Sequence, residues 1–268
     1  MDGKDYTQAN RVAWNEVAPI HRRTCGCDLR AEFTRPGYST LDELVTGKLL
    51  QLGLQGKRVA QLCCNNGREL LSLVNLGACS GVGFDISDAF IAEADELRDI
   101  AGLDCSFVRT DALDIDSAAY EPFGLVYISI GALCWIPHLD EFFRIVAGLL
   151  ESGGHLLIYE MHPVVNMLAF PGDENFVPEH PARMANPYFT KEVMCYTDGL
   201  DYYGGEQYEA SPKYEFVHTL SDIMNAILRN GMQLLCLEEY PHDISNLLGF
   251  LGENNHLPLS YILTARKQ

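Results

Sequence analysis

Proton transfer in this chain would fall to a few histidines and acids placed beside turns. His162 stands in Glu160-Met161-His162-Pro163, directly after an apolar run of strand character, and His138 follows another such run and a loop. His218 immediately precedes a helix-capping sequence. An imidazole titrates near neutral pH, so each could move a proton at a strand end, where clefts of open α/β sheets lie. His162 and His218 are the first candidates for a general base. Asp85 and Asp111 close two further strand-like runs, where a carboxylate can accept from hydroxyl or amino groups of a ligand. The nine cysteines are odd in number and scattered. Cys25/Cys27 and Cys63/Cys64 are the tight pairs, and neither has a second Cys/His pair at zinc-like spacing, so no metal site is expected.

A chain of 268 residues, 47% hydrophobic, suits one elaborated α/β domain. No apolar run is long enough to span a bilayer, and the polar start MDGKDYTQANR does not read as a signal peptide, so a soluble, cytoplasmic protein is expected. The net charge of −18 disfavours phosphate backbones and anionic lipid, which argues against nucleic-acid and membrane partners. Oligomeric state is not legible.

The elements that must position these groups follow from periodicity. Arg58 to Cys63 predicts a strand, Cys64-Asn65-Asn66-Gly67 a turn, and Arg68 to Leu76 a helix with Leu70, Leu71, Leu73, Val74 and Leu76 at helical spacing. Gly81 to Ile86 predicts a second strand containing Asp85. Ser87 caps a helix from Asp88 to Ala101, and Gly102 stops it. Strands follow at Cys105–Arg109, Phe123–Ser129 and His155–Glu160, with a helix from Asp140 to Leu150 and a tight turn at Glu151-Ser152-Gly153-Gly154. Thr219-Leu220-Ser221-Asp222 is a capping box by type, and Met232–Tyr240 and Ser260–Arg266 are closing strands. Upstream, Asp5 to Arg23 predicts one or two helices interrupted at Pro19, and Ser39 or Thr40 caps another. The Pro-, Asn-, Tyr- and Gly-rich stretch 163–218 interrupts the α/β rhythm and is expected to be a substrate-shaping insertion.

Strand, tight loop, helix, strand and acid make a nucleotide-binding half. Val59-Ala60-Gln61-Leu62-Cys63-Cys64-Asn65-Asn66-Gly67 overlays, without gaps, the pattern hydrophobic-hydrophobic-acid-hydrophobic-Gly-x-Gly-x-Gly. In this stretch, and in the helix–Gly-Gly–strand sequence around Gly153-Gly154, the chain resembles class I S-adenosylmethionine-dependent methyltransferases. It departs from the pattern at Gln61, where an acid is usual, and at Cys63 and Asn65, which replace two glycines. The resemblance implies a Rossmann-like seven-stranded mixed sheet with helices on both faces and an antiparallel last strand. It also implies an N-terminal helical cap (1–56) on a methyltransferase domain (57–268).

The same resemblance implies S-adenosyl-L-methionine held by Cys63, Asn65, Asn66, Gly67, Asp85, Ile86, Asp111, Ala112, Ser129 and Ile130. Trp14, His21, Trp135, His138, Tyr202 and Tyr203 are then candidates to contact a small-molecule acceptor, methylated at O, N or C by in-line displacement. Two alternatives stand beside it: an NAD(P)-dependent oxidoreductase, against which the loop lacks G-x-G-x-x-G, and a non-catalytic relative that binds the cofactor.

Overall fold

The computed structural model describes residues 3–252 and 256–268. Its main sheet has seven strands: β1 (Arg58–Leu62), β2 (Ser80–Asp85), β3 (Cys105–Arg109), β4 (Phe123–Ile128), β5 (Leu150–Met161), β8 (Met232–Tyr240) and β9 (Ser260–Lys267). A short hairpin supplies β6 (Val193–Tyr196) and β7 (Lys213–Phe216). The spatial order is β3-β2-β1-β4-β5-β9-β8, with β9 antiparallel to both of its neighbours. This is the mixed, doubly covered sheet expected.

Central strands read as unbroken apolar runs because helices cover both faces. All six residues of β4 are buried. Alternate residues divide between two cores. Ala60, Leu62, Val126 and Ile128 face Phe142, Phe143 and Val146 of α6 (Leu139–Leu149) and Ile223 and Ile227 of α7 (Leu220–Arg229). Val59, Leu125 and Tyr127 face Leu49 of α3 (Glu43–Gln51), Leu70 and Leu71 of α4 (Arg68–Asn75) and Leu97 of α5 (Asp88–Ala101).

Helix ends follow local chemistry. Ser87 caps α5, its hydroxyl accepting from Phe90 N, and Gly102 ends it in the left-handed region. The capping box at Thr219 and Asp222 has both reciprocal bonds. Three expectations fail. Asp42, not Ser39 or Thr40, caps α3, accepting from Val45 N at 2.8 Å. Gly153-Gly154 is the irregular opening of β5 rather than a separate turn, with a register shift against β4 between Phe123 and Leu125. A Cβ at Gly154 would lie 3.0 Å from the carbonyl oxygens of Glu151 and Phe123, which explains glycine there.

The third failure is that α1 (Gly3–Thr24) runs unbroken through Pro19. A mid-helix proline costs about 3 kcal/mol, and tertiary anchors on both sides offset it. Asn15 Oδ1 accepts from Ser87 Oγ at 2.7 Å and Ala89 N at 3.1 Å, and His21 Nε2 bonds Leu200 O at 2.8 Å. A four-residue helical turn, α2 (Leu29–Glu32), was not expected; its Leu29 joins the core beside α3.

Candidate active site

A cavity of about 880 Å³ opens at the C-terminal ends of β1, β2, β3 and β4. Its base is the loop after β1. Cys63, Asn65 and Gly67 have φ of 57°, 51° and 72°, so every position aligned with a glycine of the motif occupies the left-handed region. Asn accepts that conformation more readily than most residues, whereas Cys63 is strained there. Gly67 has no substitute: a Cβ would sit 2.4 Å from the Phe107 ring. Asp85 fixes the loop, its Oδ2 accepting from Asn65 N at 2.8 Å and its Oδ1 from Ser87 N at 2.9 Å. Burial raises the Asp85 pKa, against the pull of these N–H donors.

Gln61 explains the missing acid. Its Nε2 donates to Glu69 Oε2 at 2.8 Å and to Ser129 Oγ at 3.0 Å. Glu69, in the first turn of α4, already supplies the negative charge, so an acid at 61 would meet a like charge where the amide donates.

Glu160 is a site residue that sequence reasoning missed. Its carboxylate accepts from the backbone N–H groups of Gly131, Ala132, Leu133 and Met161, at 2.6, 2.9, 3.2 and 2.8 Å. It thereby shapes the loop after β4. Burial lifts its pKa to about 6 although all four donors oppose the rise. An acid closing an apolar strand run was the available signal, overshadowed by neighbouring His162.

The roof is built from α1, the single helical turn Leu133–Trp135 and the insertion. Trp14 meets Trp135 edge to face at 5.2 Å between centroids, packed with Val17, Phe90 and Leu200. Asn10 Nδ2 donates to Tyr214 O at 2.8 Å, and Tyr214 N donates to Asn10 Oδ1 at 2.7 Å, which clamps α1 to β7. Arg68 lines the cavity with Tyr202 and Tyr203, its guanidinium 5.6 Å from the Tyr203 ring centroid.

Of the residues singled out in the sequence, Cys63, Asn65, Asn66, Asp85, Ile86, Asp111, Ala112, Ser129, Ile130, Trp14, Trp135, Tyr202 and Tyr203 all line this cavity. Gly67 stands behind the loop, against Phe107. The histidines do not line it. His162 Nδ1 accepts from Val164 N at 3.1 Å, and its Nε2 lies 2.8 Å from Glu239 Oε1, on the β8 side of the sheet. His218 Nε2 bonds Ile136 O at 2.8 Å, and His21 braces the roof from behind Tyr202. Burial lowers the pKa of all three. His138 precedes α6 and packs near Gly3. Among the described residues no cluster of His, Cys, Asp and Glu could hold a metal ion, and no helix is long and apolar enough to cross a membrane.

Residues 59–154 match a family model described as a methyltransferase domain. That segment, which holds the loop after β1 and the strands beneath the cavity, is thus similar to methyltransferase domains. Over 111 residues the chain is 32% identical to phthiotriol/phenolphthiotriol dimycocerosates methyltransferase 1 of Mycobacterium ulcerans, covering 41% of this chain and 40% of that one. It is 26% identical over 156 residues to a tRNA U34 carboxymethyltransferase of Actinobacillus succinogenes, covering 55% and 44%. The matches thus span less than half the length of either relative. Because one of them is named for tRNA, the exclusion of nucleic acid drawn from net charge gains no support from the relatives.

Among solved structures, the fold is similar to an S-adenosylmethionine-dependent methyltransferase of Listeria monocytogenes (TM-score 0.60, 20% identity, 84% of this chain and 99% of that one). It is similar also to magnesium protoporphyrin IX methyltransferase of Synechocystis with bound SAH (TM-score 0.59, 16% identity, 100% of both).

Proposed function

We propose that the chain transfers a methyl group from S-adenosylmethionine to a small-molecule acceptor enclosed by the roof. The observation that carries this reading is the loop geometry: three left-handed residues at the motif's glycine positions, tied by Asp85, at the base of the cavity. The residues fit the cofactor. Asn66 lines the cavity and its buried Oδ1 has no partner among the described residues, and Asp85 keeps lone pairs beyond the backbone N–H groups it accepts. Asp85 would receive ribose hydroxyls, Asp111 and Ala112 the adenine, and Arg68 the amino-acid carboxylate. When bound, the cofactor supplies an electrophilic methyl on a sulfonium. The protein's part is to hold the acceptor in line and exclude water, which the Trp14–Trp135 roof favours. The base role considered for His162 and His218 is not retained, since neither lines the cavity.

Calorimetric titration with S-adenosylmethionine and S-adenosylhomocysteine tests the reading. Wild type should bind both at about micromolar affinity, and Asp85→Ala should weaken binding by about 100-fold, near 3 kcal/mol. Failure of wild type to bind either compound would sink it.

A further inference from the structure

The roof hairpin brings to the cavity a carboxylate to which the cofactor reading gives no role. Along β7, Lys213, Glu215 and Phe216 line the cavity, whereas the Tyr214 ring packs on Tyr6 of α1. Glu215 faces Met194 in the hairpin register and shares its wall with Tyr196, Cys134 and Trp135. Burial raises its pKa, although Lys213 opposes the rise. That lysine is already engaged: its ammonium donates to Gly199 O, lies 3.1 Å from Asp198 and sits over the Tyr196 ring. Among the described residues none donates a hydrogen bond to the Glu215 carboxylate. Half-buried on the cavity wall, that carboxylate is open to a ligand bearing donors, which would pair with it there.

The surroundings define that ligand's charge. Five Asp and four Glu line the cavity, against two cations, Arg68 and Lys213. Such a field repels anionic acceptors and attracts cations. Tyr196 is close enough to feel the Glu215 charge, and Trp14 and Trp135 add aromatic surface to the same cavity, a setting suited to an alkylammonium group.

We propose that the methyl acceptor is a primary or secondary amine, bound in its ammonium form with Glu215 as the receiving carboxylate. This rests on the methyltransferase reading above. The bound ammonium gives one proton to Glu215. The freed nitrogen lone pair forms the new N–C bond as the methyl's C–S bond breaks, with that electron pair remaining on sulfur. Glu215 then releases its proton to solvent.

The test is calorimetric titration of the whole protein with tryptamine and phenethylamine. Tryptophol and phenethyl alcohol serve as neutral analogues, and indole acetate and phenylacetate as anionic ones. Each is run with and without S-adenosylhomocysteine. At least one amine should bind about tenfold more tightly than its analogues. Glu215→Gln should abolish that preference while S-adenosylhomocysteine affinity stays within about twofold. Equal binding across the three charge classes, no binding of either amine, or a preference that survives in Glu215→Gln overturns the proposal. Circular dichroism of the variant checks its fold, and Glu215→Asp, which keeps the charge, should retain part of the preference. Because the amines are also titrated alone, failure of S-adenosylhomocysteine to bind would count against the methyltransferase reading separately.

Discussion

The floor and the roof of the cavity are built by different means. The floor is backbone: a loop in a prescribed conformation, held by one carboxylate at the edge of a buried parallel sheet. The roof is side chain: an aromatic cluster, a reciprocal Asn10–Tyr214 clamp and a short hairpin carried by irregular chain. A backbone-built site tolerates few alternatives at a given position yet can change residue type where conformation permits, as Cys63 and Asn65 do. A side-chain-built site can change its chemistry one residue at a time while the sheet beneath is undisturbed.

Three substitutions probe that division. Gly67→Ala attacks the floor, since the added Cβ overlaps the Phe107 ring at 2.4 Å in a left-handed position. It should cost about 3 kcal/mol or more in chemical denaturation and remove cofactor binding with it. Asn10→Ala attacks the roof clamp. Losing both bonds to Tyr214 should cost about 1–2 kcal/mol and weaken acceptor binding, with S-adenosylhomocysteine affinity nearly unchanged by calorimetry. An equal loss of both affinities would show that floor and roof are not separable. Cys63→Gly tests whether the strain is confined to the loop. It should raise stability by up to about 1 kcal/mol, read as a shift in denaturation midpoint, with cofactor affinity held or improved. A clear loss would mean that the thiol's packing outweighs the relieved backbone.

The same division governs what the sequence discloses. Floor elements are legible because their periodicity and caps are local: α5 begins after Ser87 and ends at Gly102, and β3 spans Cys105–Arg109, both as the pattern implies. The roof is not. Pro19 locally argues for a break, and only distant partners such as Ser87 and Leu200 keep α1 continuous. The histidines mislead for a related reason. His162 adjoins a strand end, yet its hydrogen bonds turn it to Val164 and Glu239, and strand alternation gives no hint of that. Glu160, one position inside the strand, does the organising that proximity to a turn suggested for its neighbour.

The Asn10–Tyr214 clamp also bears on how the molecule assembles. Its two residues lie 204 positions apart. During synthesis the apolar stripe of Ala13, Val17 and Ile20 therefore emerges long before Leu200 and β7 exist to cover it. Closing so large a span is entropically late. The helix made first should be among the last to dock, leaving a nascent chain whose sheet can begin to form while a greasy N-terminal segment still waits for its partner.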